Sequence, residues 1–311
     1  MKKDFIALMD FSSAELTGML DLADRIKQSP QEFHSALKGK TLGMIFNKKS
    51  TRTRISFQVG IFQLGGMGLF LGPEDLQLAR GETISDTGQV LSRFLDGIMI
   101  RTFSHSEVLD LAKYASVPVI NGLTDFNHPC QALADIMTLR EKFGKLEGLK
   151  LAYVGDSNNV AVSLLFACVK LGLNISLVSP EGYTITKEAL DMSREEAASK
   201  NLNVILTEDV QEGVAGADII YTDVWTSMGQ EKEQLKRLKD LSGYTVTDQV
   251  MGWAGPQAVF MHCLPAHRGE EVAASVIDSK SSIVFDQTEN RLHLQKAVMV
   301  SLMQQPGVHL H

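Results

Sequence analysis

Short apolar runs alternate with longer amphipathic stretches along most of the chain. The apolar runs of the first half are TLGMIF, GMGLFLG, DGIMIRT and PVINGL, and those of the second half are KLAYVGD, NISLVSP, ADIIYTDVW, AVFMHCLP and SSIVFDQ. Runs of this length, separated by helical segments, predict βαβ units and parallel sheets. The runs of the second half are almost wholly apolar, which is typical of strands that are covered on both faces.

The segment from His128 to Phe143 predicts a helix and marks the end of the first half. Pro129 suits the first helical position, apolar residues recur at helical spacing, and Gly144 can end the helix. The polar stretch GKLEGLK follows, so we place a domain boundary near residue 145. A last helical pattern begins at Arg291, and periodicity leaves open whether this helix packs on the first half.

Composition narrows the class of protein. The 311 residues suggest about two domains at roughly 150 residues each. No run approaches the roughly 18 apolar residues of a membrane span, and a formal net charge of −7 disfavours nucleic acid and anionic membranes as partners. The three cysteines are widely spaced and the N-terminal segment has no long apolar core, so we expect reduced thiols and a cytosolic protein without a secretion signal.

Four basic side chains crowd into one window, KKSTRTRISFQVG, although the chain as a whole is acidic. The window follows an apolar run and precedes Ile55, Val59 and Phe62 at helical spacing, which predicts a strand-to-helix turn with Ser50 as the N-cap. Backbone N–H groups, hydroxyls and the forked guanidinium of Arg52 would converge there on one anion, most naturally a phosphate. A solvated basic turn is the simpler alternative.

Three further windows lie at or just after the C-terminal ends of predicted strands, where open α/β sheets bind their ligands: FNHPCQ, DVWTSMG and MHCLPAHRG. Each has a structural alternative. His128 would cap its helix, Asp223 would cap a loop, and Cys263 would serve as a small buried apolar residue.

Other functional classes have weaker support in the sequence. A zinc site from His262, Cys263 and His267 is disfavoured because adjacent residues of an extended chain point to opposite sides and no CxxC or HExxH motif is present. The stretch YVGDSNNVAVSLLFA lacks the G-x-G-x-x-G spacing of a dinucleotide turn, and no P-loop motif occurs. A zinc hydrolase and a nicotinamide dehydrogenase are thus disfavoured, and a non-catalytic metabolite-binding protein stays open.

Six motifs occur in order along nearly the whole chain: STRTR (50–54), RT (101–102), FNHPCQ (126–131), DVWTSMG (223–229), HCLP (262–265) and ENR (289–291). Together they resemble the transcarbamylase family. Members that act on aspartate share STRTR and an HP-x-Q motif but lack HPCQ, SMG and HCLP. The resemblance therefore implies ornithine as the acceptor, with another amine such as putrescine as the alternative.

The resemblance implies an α/β fold class, with two doubly wound parallel-sheet domains joined by interdomain helices. Residues 1–145, completed by the C-terminal helix 291–311, would bind carbamoyl phosphate, and residues 146–290 would bind ornithine. The implied reaction moves the carbamoyl group to the δ-amine of L-ornithine and yields L-citrulline and phosphate. The resemblance also implies a homotrimer or a multiple of trimers, no cofactor or metal, and a cytoplasmic enzyme of arginine biosynthesis.

Motif by motif, the resemblance assigns residues to both substrates. The carbamoyl phosphate set is Ser50, Thr51, Arg52, Thr53, Gln77, Arg101, His128, Gln131, Cys263, Leu264 and Arg291. Within it, Gln77 would reach the ligand of a neighbouring subunit. The ornithine set is Asn159, Asp223, Ser227 and Met228. The implied catalytic residues are Arg101, His128 and Cys263, of which the first two would stabilise charge on the carbonyl oxygen. The reaction needs no acyl-enzyme, so we do not expect Cys263 to act as a nucleophile.

Overall fold

The computed structural model describes residues 2–77, 81–227 and 229–304. The first half of the chain forms α1 (Ser13–Gln28), β1 (Thr41–Phe46), α2 (Arg52–Gln63), β2 (Met67–Leu71), α3 (Ile84–Leu91), β3 (Gly97–Arg101), α4 (His105–Tyr114), β4 (Val119–Leu123) and α5 (Pro129–Phe143). The second half forms β5 (Lys150–Val154), α6 (Asn159–Leu171), β6 (Asn174–Val178), α7 (Lys187–Ser199), β7 (Val204–Thr207), α8 (Val210–Val214), β8 (Ile219–Thr222), α9 (Gln234–Asp240), α10 (Asp248–Trp253), β9 (Val259–His262), α11 (Ala274–Ile277) and α12 (Val284–Met303).

The chain divides into two compact units. Unit 1 is Met1–Met137 with Glu289–His311, and unit 2 is Thr138–Thr288. Both divisions fall inside helices, α5 and α12, whereas the sequence places a boundary in the loop after α5. A hydrophobic pattern marks where a helix ends, and it carries little signal for the point along a helix at which its contacts change.

Unit 1 contains a four-stranded parallel sheet in the order β2-β1-β3-β4. The strands β1, β3 and β4 are almost wholly buried, as expected for strands covered on both faces. Phe46, the last residue of β1, pairs in register with Arg101, the last residue of β3. The loops that follow these strands therefore begin side by side at one edge of the sheet.

Unit 2 contains a five-stranded parallel sheet in the order β7-β6-β5-β8-β9. The chain leaves β5 toward β6 on one side and returns to β8 on the other, which makes a topological switch point at the C-terminal end of β5. Thr222 of β8 pairs with His262 of β9, so the loops after these two strands also begin together. The predicted α/β class with two parallel-sheet domains is confirmed.

One strand prediction in the second half is wrong, and one strand was missed. SSIVFDQ was expected to be a strand, but Ser282 forms an isolated bridge with Phe260 and α12 begins at Val284. Conversely, β7 lies at the edge of its sheet, where Ile205 and Leu206 are 37% and 50% exposed. A short apolar run can belong to a buried helix start as readily as to a strand, and the apolar run of β7 is only three residues long.

The helix α2 forms after the basic window, but it buries a different face from the one its apolar spacing suggested. Ile55 and Phe62 are 54% and 76% exposed, whereas Phe57 is fully buried. A Cβ atom at Gly60 would lie 3.0 Å from Cε of Met299 in α12, so the buried face of α2 packs closely against that helix. The exposed apolar side chains remain on the surface of unit 1.

Other helices follow the sequence more closely. The prediction for α5 is confirmed, because the helix begins at Pro129 and Gly144 follows it in the left-handed region with a φ of 71°. The last helix, α12, begins at Val284 rather than at Arg291. Among the described residues, none of the helices has the length and apolarity needed to span a bilayer.

Candidate active site

The basic window forms the turn between β1 and α2. The hydroxyl of Ser50 accepts a hydrogen bond from the backbone N–H of Thr53 at 3.1 Å. The predicted N-cap is one residue off, because Thr51 directly precedes the helix and makes no capping bond with its side chain. Ser50 nevertheless caps the first turn, and the positive end of the helix dipole faces this turn.

Arg291 of α12 is held by two residues of the predicted carbamoyl phosphate set. Its guanidinium donates to Oγ1 of Thr53 at 3.1 Å and to Oε1 of Gln131. Gln131 in turn donates from Nε2 to Asp135 at 2.8 Å. All four side chains are buried. The arginine fork is thus fixed by residues of α2 and α5 before any ligand binds.

His128 is buried among cations at the start of α5. Burial lowers its pKa well below the usual value, and the positive charges of Arg291, Arg101 and Arg52 lower it further. The imidazole is therefore neutral at pH 7, with one ring nitrogen carrying a hydrogen that it can donate to a developing oxyanion. Arg101, at the end of β3, is also buried.

Lys48 is a cation of this cluster to which the sequence analysis gave no role. Only 6% of Lys48 is exposed, and its Nζ lies 3.0 Å from the carboxylate of Asp125 and 4.8 Å from the ring centroid of Phe103. Its positive charge also lowers the pKa of His128. The only signal in the sequence was its place in a basic window of an acidic chain.

Two predicted site residues stand apart from these clusters. Gln77 is exposed in the segment between β2 and α3, where its backbone carbonyl accepts a hydrogen bond from Glu82 at 3.2 Å. Its contact with the ligand of a neighbouring subunit stays a prediction. Met228 lies outside the described residues.

In unit 2 the chain segments that follow β9 and β5 bring two side chains to Asp223, which follows β8. The thiol of Cys263 donates to Oδ1 of Asp223 at 3.0 Å, and Nδ2 of Asn158 donates to Oδ2 at 2.8 Å. Asn158 also caps α6, since its Oδ1 accepts from the N–H of Val160 at 2.8 Å. The sequence analysis chose the neighbouring Asn159, which is the half-buried first residue of α6.

Arg237 of α9 anchors the loop that follows Asp223. Its guanidinium donates to Oδ2 of Asp156 at 2.6 Å and to the backbone carbonyl of Trp225 at 3.0 Å. Burial raises the pKa of Asp156, and the charge of Arg237 opposes that rise. Ser227, two residues after Trp225, donates its N–H to Oε1 of Gln230 at 3.0 Å. Arg237 and Asp156 were missed because partners so distant in sequence share no local pattern.

The side chain of His262 fixes the backbone of the HCLP loop, of which it is the first residue. Its Nδ1 accepts the N–H of Leu264 at 2.8 Å, so the other nitrogen, Nε2, carries the hydrogen and faces Oε1 of Glu271 at 3.2 Å. Leu264 has a left-handed φ of 56°. The zinc ligand set considered above is divided in the structure: His262 and Cys263 group with an aspartate, whereas His267 groups with two glutamates.

Comparisons with known proteins agree with this arrangement. The carbamoyl-P binding domain of aspartate/ornithine carbamoyltransferases matches residues 3–141, and the Asp/Orn binding domain matches residues 147–302. The chain is 54% identical over 303 residues to the ornithine carbamoyltransferase of Oceanobacillus iheyensis. The aligned residues cover 97% of this chain and 94% of that protein. It is 51% identical over 301 residues to the ornithine carbamoyltransferase of Bacillus subtilis, and this alignment covers 97% of this chain and 94% of that protein.

A solved structure extends the similarity to the whole fold. The ornithine carbamoyltransferase from Pyrococcus furiosus matches with a TM-score of 0.94 at 50% sequence identity and covers 99% of this chain and 98% of its own. Two domain matches, high identity over nearly the full length and the same fold agree with the clusters around His128 and Asp223. The chain belongs to the aspartate/ornithine carbamoyltransferase family.

Proposed function

We propose that the chain transfers the carbamoyl group of carbamoyl phosphate to the δ-amine of L-ornithine, giving L-citrulline and phosphate. It is an enzyme of the carbamoyltransferase class, and the relatives that match nearly its full length are named ornithine carbamoyltransferases. The observation that carries the proposal is the set of buried cations around a neutral His128 at a capped helix start. Such a set suits a doubly charged phosphate joined to a polarised carbonyl group.

Unit 1 supplies most of the carbamoyl phosphate ligands in this proposal. The phosphate group would be held by the helix start and the basic side chains, and the carbamoyl end by Arg101, His128 and Gln131. The full proposed set is Ser50, Thr51, Arg52, Thr53, Gln77, Arg101, His128, Gln131, Cys263, Leu264 and Arg291. The matching domain assignment is residues 1–145 with 291–311 for carbamoyl phosphate and residues 146–290 for ornithine.

The chemistry is attack of an amine on the carbamoyl carbon, which passes through a tetrahedral intermediate and expels phosphate. Negative charge grows on the carbonyl oxygen, and a well-placed donor to that oxygen contributes roughly 3–4 kcal/mol. Arg101 and neutral His128 are the proposed donors. Arg52 and the N-terminus of α2 would stabilise the charge on the departing phosphate.

The ornithine set in this proposal is Asn159, Asp223, Ser227 and Met228. Asp223 would bind the α-ammonium group, because its carboxylate is buried and already oriented by Cys263 and Asn158. Asn159 would bind the α-carboxylate. Fixing both α-groups aims the δ-amine at its target, and orientation of this kind contributes several kcal/mol.

The attacking amine must be neutral. An alkyl amine with a pKa of about 10.4 is neutral in only about one molecule in 2,500 at pH 7, which costs about 4–5 kcal/mol. Positive charge near the reacting end of carbamoyl phosphate repels an ammonium group and favours the neutral amine. The phosphate oxygens can accept the proton lost on attack, so a dedicated protein base is not required.

The assembly and compartment are part of the same proposal. Ile55, Phe62 and Met67 line one groove on the surface of unit 1 and are 54%, 76% and 55% exposed, and apolar patches of this kind mark protein interfaces. They support a homotrimer or a multiple of trimers, which light scattering would test by mass. Cys130, Cys168 and Cys263 are not disulfide-bonded, which fits a cytoplasmic location. We propose no nucleic-acid or membrane partner.

The test is phosphate release from carbamoyl phosphate with ornithine, putrescine, aspartate or acetylornithine as the acceptor, with citrulline measured in the ornithine reaction. We expect release with ornithine and equal amounts of citrulline and phosphate. Release with putrescine instead would retain the carbamoyl phosphate site and refute the ornithine assignment. Carbamoyl phosphate binding without turnover of any amine would favour the non-catalytic binding protein.

A further inference from the structure

Three ligand-type side chains converge behind the HCLP loop, outside the sets assigned to the two substrates. Nδ1 of His267, a carboxylate oxygen of Glu270 and a carboxylate oxygen of Glu271 all lie within 4.8 Å of one another. His267 Nδ1 is 3.5 Å from Oε2 of Glu270 and 3.9 Å from Oε2 of Glu271. A tight turn brings them together: Gly269 has a φ of 92°, and the N–H of Glu270 donates to the carbonyl of His267 at 3.0 Å.

Glu271 shows that this cluster is more than a group of surface acids. The residue is fully buried, and its Oε1 accepts the backbone N–H of His267 and faces Nε2 of His262. Its Oε2 is also buried, yet no described residue donates a hydrogen bond to it. A buried carboxylate oxygen without a partner is unfavourable, and this one lies 3.9 Å from Nδ1 of His267.

We propose that His267, Glu270 and Glu271 form a binding site for a divalent transition-metal ion such as Zn²⁺. One imidazole nitrogen and two carboxylate oxygens are ligands that suit zinc and cobalt. Metal–ligand bonds of about 2.0–2.2 Å in tetrahedral geometry place ligand atoms roughly 3.3–3.5 Å apart. The observed separations of 3.5 Å and 3.9 Å from His267 are close to that geometry, and all three ligand atoms lie within 4.8 Å of one another.

The alternative to a metal ion is a protonated His267 that pairs with the two carboxylates. The distances between these groups favour the metal ion. The side chain of His267 is 49% exposed, and exposed ion pairs contribute little. The 3.9 Å from its Nδ1 to Oε2 of Glu271 is too long for a hydrogen bond, so a proton leaves that buried oxygen without a partner. A metal ion would satisfy it. The other carboxylate oxygen, Oε1, already has the outer contacts that commonly orient a metal ligand.

The site would also stabilise the turn behind the HCLP loop. Glu271 faces His262, and His262 accepts the backbone N–H of Leu264. An ion that fixes Glu271 therefore restrains the loop through these contacts. Since the ion binds the folded form, we expect its addition to raise the temperature of unfolding.

Cobalt binding to the full-length protein tests the proposal. The probe is Co²⁺ alone, added to a Cys263→Ser variant, because Asp223, His262 and Cys263 form a second cluster that offers a thiol ligand. We expect one equivalent of Co²⁺ with visible d–d absorption, no sulfur-to-cobalt charge-transfer band, and displacement by Zn²⁺. In this background His267→Ala and Glu270→Gln should each weaken binding at least about tenfold. The matched control is His34→Ala, which removes an exposed histidine of unit 1 and should leave the affinity unchanged.

The thermal readout separates the remaining outcomes. Co²⁺ should raise the unfolding temperature of the Cys263→Ser and His34→Ala proteins but not that of the His267→Ala protein. If all cobalt uptake disappears with the Cys263 thiol, His267 is only an ion-pair partner and the proposal is wrong. If His267→Ala binds cobalt as well as its parent, the metal lies elsewhere and the proposal is equally overturned. Neither result depends on the acceptor specificity of the enzyme.

Discussion

The two units surround their central buried groups with charges of opposite sign. In unit 1, burial and the neighbouring arginines lower the pKa of His128 well below its usual value. In unit 2, burial and then the carboxylates of Asp223 and Asp156 raise the pKa of Tyr153 well above its usual value. A chain with a net charge of −7 thus contains one cationic and one anionic interior cluster. Net charge alone says little about which ligand each cluster suits, because a ligand responds to the local field.

The contrast also explains how the proposed substrates are sorted. Carbamoyl phosphate is an anion and suits the cations around His128, whereas the α-ammonium of ornithine suits the carboxylate of Asp223. Substitutions in unit 1 should therefore act on carbamoyl phosphate and on the chemical step, and substitutions in unit 2 on ornithine. Kinetics that vary each substrate separately can test this division.

The largest effect is expected for Arg101→Leu. Removing a buried donor to the carbonyl oxygen should lower kcat by about 10²–10³-fold, which is roughly 3–4 kcal/mol of transition-state stabilisation. Steady-state rates at saturating levels of both substrates measure it. The control Arg194→Leu removes an exposed arginine of α7 and should keep the parental rate. A fall of less than tenfold would exclude Arg101 from the chemical step.

The next effect concerns unit 2, where Asp223→Asn should raise KM for ornithine. Loss of the charged partner of the α-ammonium costs about 2–3 kcal/mol, or roughly 30- to 150-fold. KM for carbamoyl phosphate should change little, because that ligand is assigned to the cations of unit 1. Asp191→Asn, at an exposed ion pair of α7, is the matched control. Equal losses for both substrates would contradict the division between the units.

The sequence predicted the cationic cluster of unit 1 better than the anionic cluster of unit 2. The cationic cluster follows largely from one contiguous window, because helix start, hydroxyls and arginines are adjacent in STRTR. The anionic cluster depends on tertiary contacts: Asn158 reaches Asp223 and Arg237 reaches Asp156 across long separations in sequence. The resemblance assigned Asn159 to ornithine, which stays a prediction, whereas the contact of Asn158 with Asp223 follows only from the tertiary structure.

The fold was predicted wherever a strand is buried on both faces. β1, β3, β5 and β8 are of this kind, and their apolar runs are unbroken. The edge strand β7 escaped notice because its apolar run is only three residues long, and SSIVFDQ was misread because a helix start can be as apolar as a strand. A short apolar run in the sequence therefore does not by itself distinguish a strand from a buried helix start.

The His128→Asn variant tests the cationic field of unit 1 through the pH dependence of stability. Because the folded pKa of His128 is depressed, the unfolded chain takes up the proton first as the pH falls below about 6.5, and the parent protein loses stability. The loss from this one group is at most about 2 kcal/mol by pH 5, and the variant should not show it. Urea unfolding of both proteins at pH 7 and pH 5 gives the comparison. His34→Asn, an exposed position, should keep the parental slope, and identical slopes for all three proteins would refute a strong field at His128.

The smallest effect separates the two contributions of Arg52, its charge and its forked geometry. Arg52→Lys keeps the positive charge and loses the bidentate fork, so KM for carbamoyl phosphate should rise by only about 5- to 10-fold, or roughly 1–1.4 kcal/mol. Arg52→Met loses both contributions and should do more damage, while KM for ornithine stays near the parental value in each variant. If lysine is as harmful as methionine, geometry rather than the field holds the phosphate. If neither variant changes KM for carbamoyl phosphate, the cations of unit 1 act without Arg52, and the phosphate depends on Arg291 and the start of α2.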